Sequence, residues 1–168
     1  MCIRDRDQAE HHPEPQVRRQ ADQLAQLLTP IIKAFFTEQG FRQASNALQV
    51  FGGYGYVAEF AIEQTLRDSR IAMIYEGSNE IQANDLLLRK VLGDGGQGFA
   101  LLLEQLRDEA GHGAQVPECV GFARSLADLA EALQALVAQV QQWALEDAEY
   151  PYRCLLYTSP SPRDLSTS

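Results

Sequence analysis

Positive charge is the first thing this 168-residue chain has little of: 14 lysines and arginines stand against 23 aspartates and glutamates, for a net charge of −9. Phosphate backbones demand a basic face, so the balance argues against nucleic acid as a partner. Acidity by itself is a solubility statement and names no other partner. Cysteine is also scarce. Of three, Cys2 and Cys154 lie near the two ends, leaving Cys119, and one thiol cannot close an internal disulfide. That fits a reducing, cytoplasmic setting. No run of about 18 apolar residues occurs, so the segment is not expected to span a membrane, and no signal-peptide pattern opens it. The three histidines give no ligand cluster: His11 and His12 are neighbours near one end, and His112 stands alone among glycines, so no metal site is expected. Cys119 has no evident base partner, which leaves no nucleophile arrangement to argue.

The two ends look alike in an unusual way. Met1 to Arg6 reads MCIRDR and Cys154 to Ser159 reads CLLYTS. One coding choice for the first is ATG TGT ATA AGA GAC AG. Its reverse complement, shifted by one base, reads TGT CTC TTA TAC ACA T, which encodes Cys-Leu-Leu-Tyr-Thr. Unrelated termini are not expected to be reverse complements, so both ends read as a translated sequencing adapter, with SPSPRD as its continuation. A disordered Ser/Pro tail is the alternative for the last stretch. On the adapter reading, residues 1–6 and 154–168 are set aside from fold reasoning and the chain is a fragment. What remains, 7–153, is long enough for a core of its own.

That remainder reads as helix nearly throughout. Leu24, Leu27, Leu28, Ile31, Ile32, Phe35 and Phe36 recur every three or four residues, predicting a helix over 16–39 that Pro30 kinks or divides. Gly40 is expected to break it. A shorter helix is predicted over 41–51, stopped by Gly52-Gly53, and another over 61–71 with local charge pairs around Arg67, Asp68 and Arg70. Ser78 or Asn79 is expected to cap a helix running to about Leu92. Gly93-Asp94-Gly95-Gly96 is a breaker cluster and a domain boundary. Beyond it, helices are predicted over 99–107 and 118–149. In the latter, Phe122, Leu126, Leu129, Leu133, Leu136, Val140 and Trp143 form a heptad-like seam that wants partner helices. The fold class is all-α, a helical bundle.

The stretch with chemistry in it is QVFGGYGYVAEFAIEQTLRDSRIAMIYEGSNEIQ, Gln49 to Gln82. It sets Glu76 in a Tyr-Glu-Gly-Ser turn between two amphipathic segments, with a Gly-Gly-Tyr-Gly loop a short helix upstream. A glutamate before glycine is by itself an ordinary exposed turn residue. Three glycines by themselves are an ordinary helix stop, and the spacing is no dinucleotide fingerprint. Together, Tyr75, Glu76, Gly77, Ser78 and Gln82, preceded by Arg67-Asp68, strongly resemble the C-terminal helical domain of the acyl-CoA dehydrogenase family.

The resemblance implies a function. In that family the glutamate of this turn removes the substrate α-proton while a β-hydrogen leaves as hydride to FAD, giving a trans-2-enoyl-CoA. Glu76 is thus the expected catalytic base. Desolvation by the acyl chain would bring its pKa towards that of the weak carbon acid. Donors to the thioester oxygen, including the Glu76 backbone N–H, would stabilise the developing enolate. Gln49, Gly52 and Gly53 are expected at the adenosine end of FAD held mainly by a neighbouring subunit, with Ser78 and Gln82 as further FAD contacts. Ser78 replaces a usual threonine and keeps its hydroxyl. Glu80 stands where the family varies, which leaves an FAD contact there open. Tyr75 and Gly77 are expected to line the substrate site, although Tyr75 also suits a packed core. The implied partners are an acyl-CoA, an electron-transfer flavoprotein and further copies of the chain, as a homo-oligomer (dimer or tetramer), within fatty acid β-oxidation.

The resemblance extends through LLTPIIKAFFTEQGF (27–41) and IQANDLLLRKVLGDGG (81–96) to the subgroup with an extra C-terminal helical extension. The expected organisation is adapter over 1–6, C-terminal helical domain over 7–96, start of the extension over 97–153, and adapter over 154–168. Two other readings stay open: an FAD-binding relative with a non-dehydrogenase role, and a helical oligomerisation module. A base without a flavin has no hydride acceptor, so the isolated chain is expected to be inactive.

Overall fold

The computed structural model describes residues 2–147 and 149–151, with side chains from Arg6 onward. The adapter-like stretch 154–168 lies outside the described residues. Every regular element among those described is helical: α1 (Cys2–His11), α2 (Pro15–Phe51), 3-10 turns at Gly52–Tyr56 and Ala58–Phe60, α3 (Ile62–Ile71), α4 (Asn79–Asn84) leading into a π-helical stretch Asp85–Leu92, α5 (Gln97–Gly113), a 3-10 turn Pro117–Cys119, and α6 (Val120–Glu146). The fold is all-α, as its periodicities require. No described helix is long and apolar enough to cross a membrane.

One helix replaces the two or three expected between 16 and 51. α2 runs through both Pro30 and Gly40. The helix continues across the one amide that Pro30 lacks; Pro30 itself is fully buried, whereas Ile31, Phe35 and Phe36 beyond it are exposed. Gly40 costs a helix interior only about 1 kcal/mol against alanine. It does not adopt the left-handed backbone that would end the helix. Gly52 does, at φ +57°, and there α2 stops as expected.

The chain divides into two compact units: residues up to Leu28 together with those from Leu86 onward, and Thr29–Asp85. In the first, α5 and α6 form an antiparallel hairpin. Phe99 and Leu103, early in α5, pack with Ala130, Leu133 and Val137, later in α6. At the other end a Cβ on Gly113 would lie 3.3 Å from that of Ala123. Leu24 and Leu27 of α2 are buried in the same unit. Gln23 reaches Gln97 at 3.2 Å, and a Cβ on Gly98 would lie 3.4 Å from the Gln23 carbonyl oxygen. Asp94 opens α5: its two carboxylate oxygens accept the Gly96 and Gly98 amides at 2.8 Å each, which carries the helix start upstream of Phe99.

The seam of α6 is not the one that counting large residues predicts. Phe122, Leu129 and Leu136 are exposed, whereas Ala130 is only 1 % exposed and Ala123 is buried. α5 approaches α6 at Ala110 and Gly113, and so close an approach selects small residues on the facing helix. Leu133 joins them at the interface, while Phe122, Leu129 and Leu136 turn outward and Trp143 packs on the Tyr150 ring.

In the second unit the fully buried positions are few: Pro30, Ala44 and Gly55. Phe60 packs its ring against Tyr54 (5.2 Å between centroids) and Phe51 (6.4 Å), gathering the loop after α2. Arg70 of α3 lies over the Phe41 ring of α2 at 5.6 Å, while Arg67 pairs within α3 with Glu63 at 2.9 Å. Of the local charge pairs expected on α3, that of Arg67 with Glu63 is present, whereas Asp68 accepts from the uncharged Gln64 at 2.7 Å and Arg70 ties helix to helix.

Candidate active site

The turn between α3 and α4 is built to be stiff. α3 tightens as it ends, with Ile74 N–H donating to the Ile71 carbonyl at 2.9 Å and Tyr75 N–H to the same oxygen at 3.1 Å. The next two residues both enter the left-handed region, Glu76 at φ +56° and Gly77 at φ +89°. Glycine takes that conformation freely, but for glutamate it costs roughly 1–2 kcal/mol. Strain of this kind persists only where surrounding contacts over-determine it, and it gathers at functional sites. Ser78 follows in an extended conformation as the N-cap of α4, its carbonyl accepting the Gln82 amide at 2.9 Å.

Side chains hold both carbonyls of the strained pair. Gln82 Nε2 donates to the Glu76 carbonyl at 3.1 Å. Lys33 Nζ, from α2, donates to the Gly77 carbonyl. One helical turn along the same face, Thr37 Oγ1 donates to the Lys33 carbonyl at 2.7 Å and lies 3.4 Å from Asn79 Oδ1. A Cβ on Gly77 would sit 3.0 Å from Gln82 Nε2 and 3.1 Å from Ile81 Cγ2. Gly77 therefore serves its own chain as well as any substrate, because a side chain there would push the Gln82 brace aside.

The charges at the start of α4 favour the ionised form of Glu80. A hydrogen bond from the Ser78 hydroxyl, then one from its own backbone N–H, hold the Glu80 carboxyl below the ordinary 4.5. The Arg70 and Lys33 charges add to this, and slight desolvation opposes it. The Glu76 side chain is exposed, as are those of Ile74 and Tyr75. The result is an accessible carboxylate on a braced, strained turn, flanked by an apolar surface.

The sequence-predicted residues fall in two places. Tyr75, Glu76, Gly77, Ser78 and Gln82 come together at the turn. Gln49, Gly52 and Gly53 lie at the end of α2 beside the Phe51–Tyr54–Phe60 rings, and no hydrogen bond joins the two groups among the described residues. Space at the second place suits a cofactor: nothing lies within 4 Å of a Cβ built on Gly52 or Gly53, and Gln49 is exposed. At the turn, the Gln82 amide nitrogen is committed to Glu76, and the Ser78 hydroxyl proton to Glu80, so each offers a ligand acceptor lone pairs. Among the described residues no three His, Cys, Asp or Glu side chains gather as metal ligands.

Lys33 and Thr37 are the site residues that sequence reading missed. A signal was there, because Lys33 is the sole charge between Asp22 and Glu38, inside an apolar helical stripe.

Residues 16–91 match the family described as acyl-CoA dehydrogenase, C-terminal domain. The chain is 40% identical over 141 residues to a 3-methylmercaptopropionyl-CoA dehydrogenase of Ruegeria pomeroyi, covering 81% of this chain and 24% of that protein. It is 33% identical over 123 residues to a broad-specificity linear acyl-CoA dehydrogenase of Mycobacterium tuberculosis, covering 69% and 20%. Over 60 residues it is 42% identical to an acyl-CoA dehydrogenase of Bacillus subtilis, covering 36% and 15%. The matched part thus spans a quarter or less of these relatives' length.

Proposed function

Since the chain belongs to the acyl-CoA dehydrogenase family, carrying its C-terminal domain, we propose that it acts as part of a longer flavin-dependent enzyme that dehydrogenates an acyl-CoA to the trans-2-enoyl-CoA. The observation that carries this reading is the Glu76 turn, an exposed carboxylate on a left-handed backbone braced at both carbonyls. A braced backbone gives the carboxylate a fixed point of attachment, which supports the positioning that proton abstraction from carbon requires.

In the proposed reaction Glu76 takes the α-proton of the thioester. Its backbone N–H donates to the thioester oxygen as enolate charge develops there. The acyl chain covers the carboxylate and displaces water, which raises its basicity. FAD, when bound, accepts the β-hydrogen as hydride. On this chain Gln49, Gly52 and Gly53 would hold its adenosine end and Ser78 would accept a hydrogen bond from it, with Gln82 Oε1 as a further acceptor. Tyr75 would line the acyl pocket. Residues 7–96 then constitute the C-terminal helical domain and 97–153 the start of an extension. An electron-transfer flavoprotein is the proposed oxidant, a homo-oligomer the proposed assembly, and the cytoplasm the proposed location.

The test is an anaerobic titration of the full-length flavoprotein with a panel of linear and methylthio-substituted acyl-CoAs. Bleaching of the oxidised flavin band that disappears in Glu76→Gln supports both the reaction and the base. A bound flavin that no acyl-CoA reduces refutes the reading.

A further inference from the structure

A carboxylate that must meet a carbon-bound proton needs a backbone that stays put, and Glu76 is in a conformation its own residue type resists. Gln82 braces it locally, from six residues along the same turn and helix, so turn and brace can move together. Lys33 is different. It lies 44 residues upstream of Gly77, on α2, and so ties the turn to a separate helix. It is half-buried, and its ammonium is also felt by the Glu80 carboxylate. Thr37, one helical turn along, faces Asn79 at the start of α4, so the same side of α2 meets the segment at two points. A solvated surface lysine would show neither the burial nor the paired contact.

We propose that Lys33 is a positioning residue for the base: by donating to the Gly77 carbonyl it fixes the Glu76–Gly77 pair in the left-handed conformation that directs the Glu76 carboxylate. The inference rests on the reading of Glu76 as the base. It assigns Lys33 no contact with substrate or cofactor. Losing the tie lets the Gly77–Ser78 peptide rotate and the turn relax, so the carboxylate samples directions from which the α-proton is out of reach. The turn also carries the Glu76 backbone N–H and Tyr75, so substrate binding weakens as well, but by less than proton removal slows.

The experiment uses the full-length flavoprotein and compares the unsubstituted protein with Lys33→Met, Lys33→Arg and Glu76→Gln. Flavin content, kcat, KM and the primary isotope effect with α-deuterated acyl-CoA are read for each. Misplacing a reacting group by about 1 Å can cost 10²-fold, so Lys33→Met is expected to lower kcat by about 10- to 100-fold. KM rises by less than kcat falls, flavin content stays near the unsubstituted value, and the isotope effect rises because proton removal now limits turnover. Lys33→Arg, which keeps a charged donor, restores most of kcat. Should Lys33→Met fail to fold, Lys33→Gln, which keeps an uncharged donor on a shorter stem, is judged by the same criteria.

A Lys33→Met enzyme with unchanged kcat and isotope effect overturns the proposal while Glu76→Gln remains inactive. Activity that falls only in step with flavin content, at an unchanged isotope effect, also overturns it, since that marks a structural role. If the unsubstituted holoenzyme reduces no flavin with any acyl-CoA, the reading of Glu76 fails first and takes this inference with it.

Discussion

The loop after α2 offers a way to separate what a glycine does for the fold from what it does for a ligand. Gly55 is buried, and a Cβ there would lie 2.7 Å from the Leu48 carbonyl oxygen and 3.1 Å from both Leu48 Cγ and Phe51 Cβ. The nearest of these is backbone, which cannot swing aside. Overpacking of this kind costs about 1–3 kcal/mol. Loss of glycine's freedom in the unfolded chain returns about 0.4–1 kcal/mol. Gly55→Ala is therefore expected to destabilise by about 1–2 kcal/mol, a drop in melting temperature of roughly 2–8 °C for a chain of this size.

Gly53, two residues earlier, has nothing within 4 Å of the same virtual atom and no positive φ. In the flavin-free protein Gly53→Ala should then be neutral or slightly stabilising, by about 0.4–1 kcal/mol. If FAD approaches this backbone closely, the added methyl displaces a hydrogen-bonded contact. A neutral hydrogen bond is worth about 0.5–1.5 kcal/mol, and about 1.4 kcal/mol is tenfold in affinity. Gly53→Ala should thus weaken FAD binding by roughly tenfold while leaving apoprotein melting unharmed. Gly52 is the poorer probe, because its φ of +57° strains any substitution. Melting curves of the apoproteins, with flavin titrations followed by fluorescence quenching, read both quantities. The reasoning is refuted if Gly53→Ala destabilises the apoprotein as much as Gly55→Ala does, and the FAD assignment is refuted if Gly53→Ala binds FAD normally.

Two further outcomes follow from the electrostatics of helix ends. Asp94→Ala removes the acceptor for two amides and should cost about 1–2 kcal/mol, seen as lost hydrogen-exchange protection at the Gly96 and Gly98 amides; unchanged protection at both sites would contradict the cap. The Glu80 carboxyl is held below the ordinary 4.5, chiefly by the Ser78 hydroxyl, so its contribution to stability is present above that value and is lost as pH falls through the lower folded value. The difference in melting temperature between the unsubstituted protein and Glu80→Gln should accordingly be constant near neutrality and shrink below about pH 4.5. A difference that stays the same down to pH 3 would show that the Ser78–Glu80 bond adds nothing.

What the sequence made legible was local. The stop of α2 at Gly52 appears where it was read, α3 starts one residue after the expected Ala61, and of the two caps expected, Ser78 or Asn79, the structure has Ser78; each depends on a few consecutive residues. The Glu76 turn was legible as a motif, but its strain was not, because φ cannot be read from a Glu-Gly pair. The misreadings share one cause. Gly40 looked like a break and the row Phe122–Leu129–Leu136 looked like an interface because both were judged by residue type without a neighbour. α2 continues through Gly40 all the same, since one glycine costs a helix only about 1 kcal/mol, and the close approach of α5 favoured Ala123 and Ala130 over the larger side chains. Asp94 reads only as part of the 93–96 breaker cluster, although its carboxylate accepts the Gly96 and Gly98 amides at the start of α5. The tie from Lys33 to Gly77 has no local signature, since it joins residues 44 apart.

On the proposed reaction, Thr29–Asp85 supplies the base and its brace without supplying the walls. A carboxylate gains basicity towards a carbon acid when water is removed from it. Glu76, Ile74 and Tyr75 are all exposed, so this unit by itself leaves the carboxylate in water. It holds the backbone of the turn through φ at Glu76 and the Gln82 and Lys33 donors, which sets the point from which the Glu76 side chain leaves the chain. Positioning and desolvation are therefore provided separately. On the proposed reaction, desolvation arrives with the acyl chain against that apolar surface, so the base becomes strong only when its substrate is in place. Truncating the acyl chain of the substrate should then reduce kcat as well as raise KM, because the part of the substrate that binds is also the part that dries the base. Rapid-mixing measurement of flavin reduction across a chain-length series reads this directly. A reduction rate that stays level while only affinity falls would mean that something other than the substrate dries Glu76.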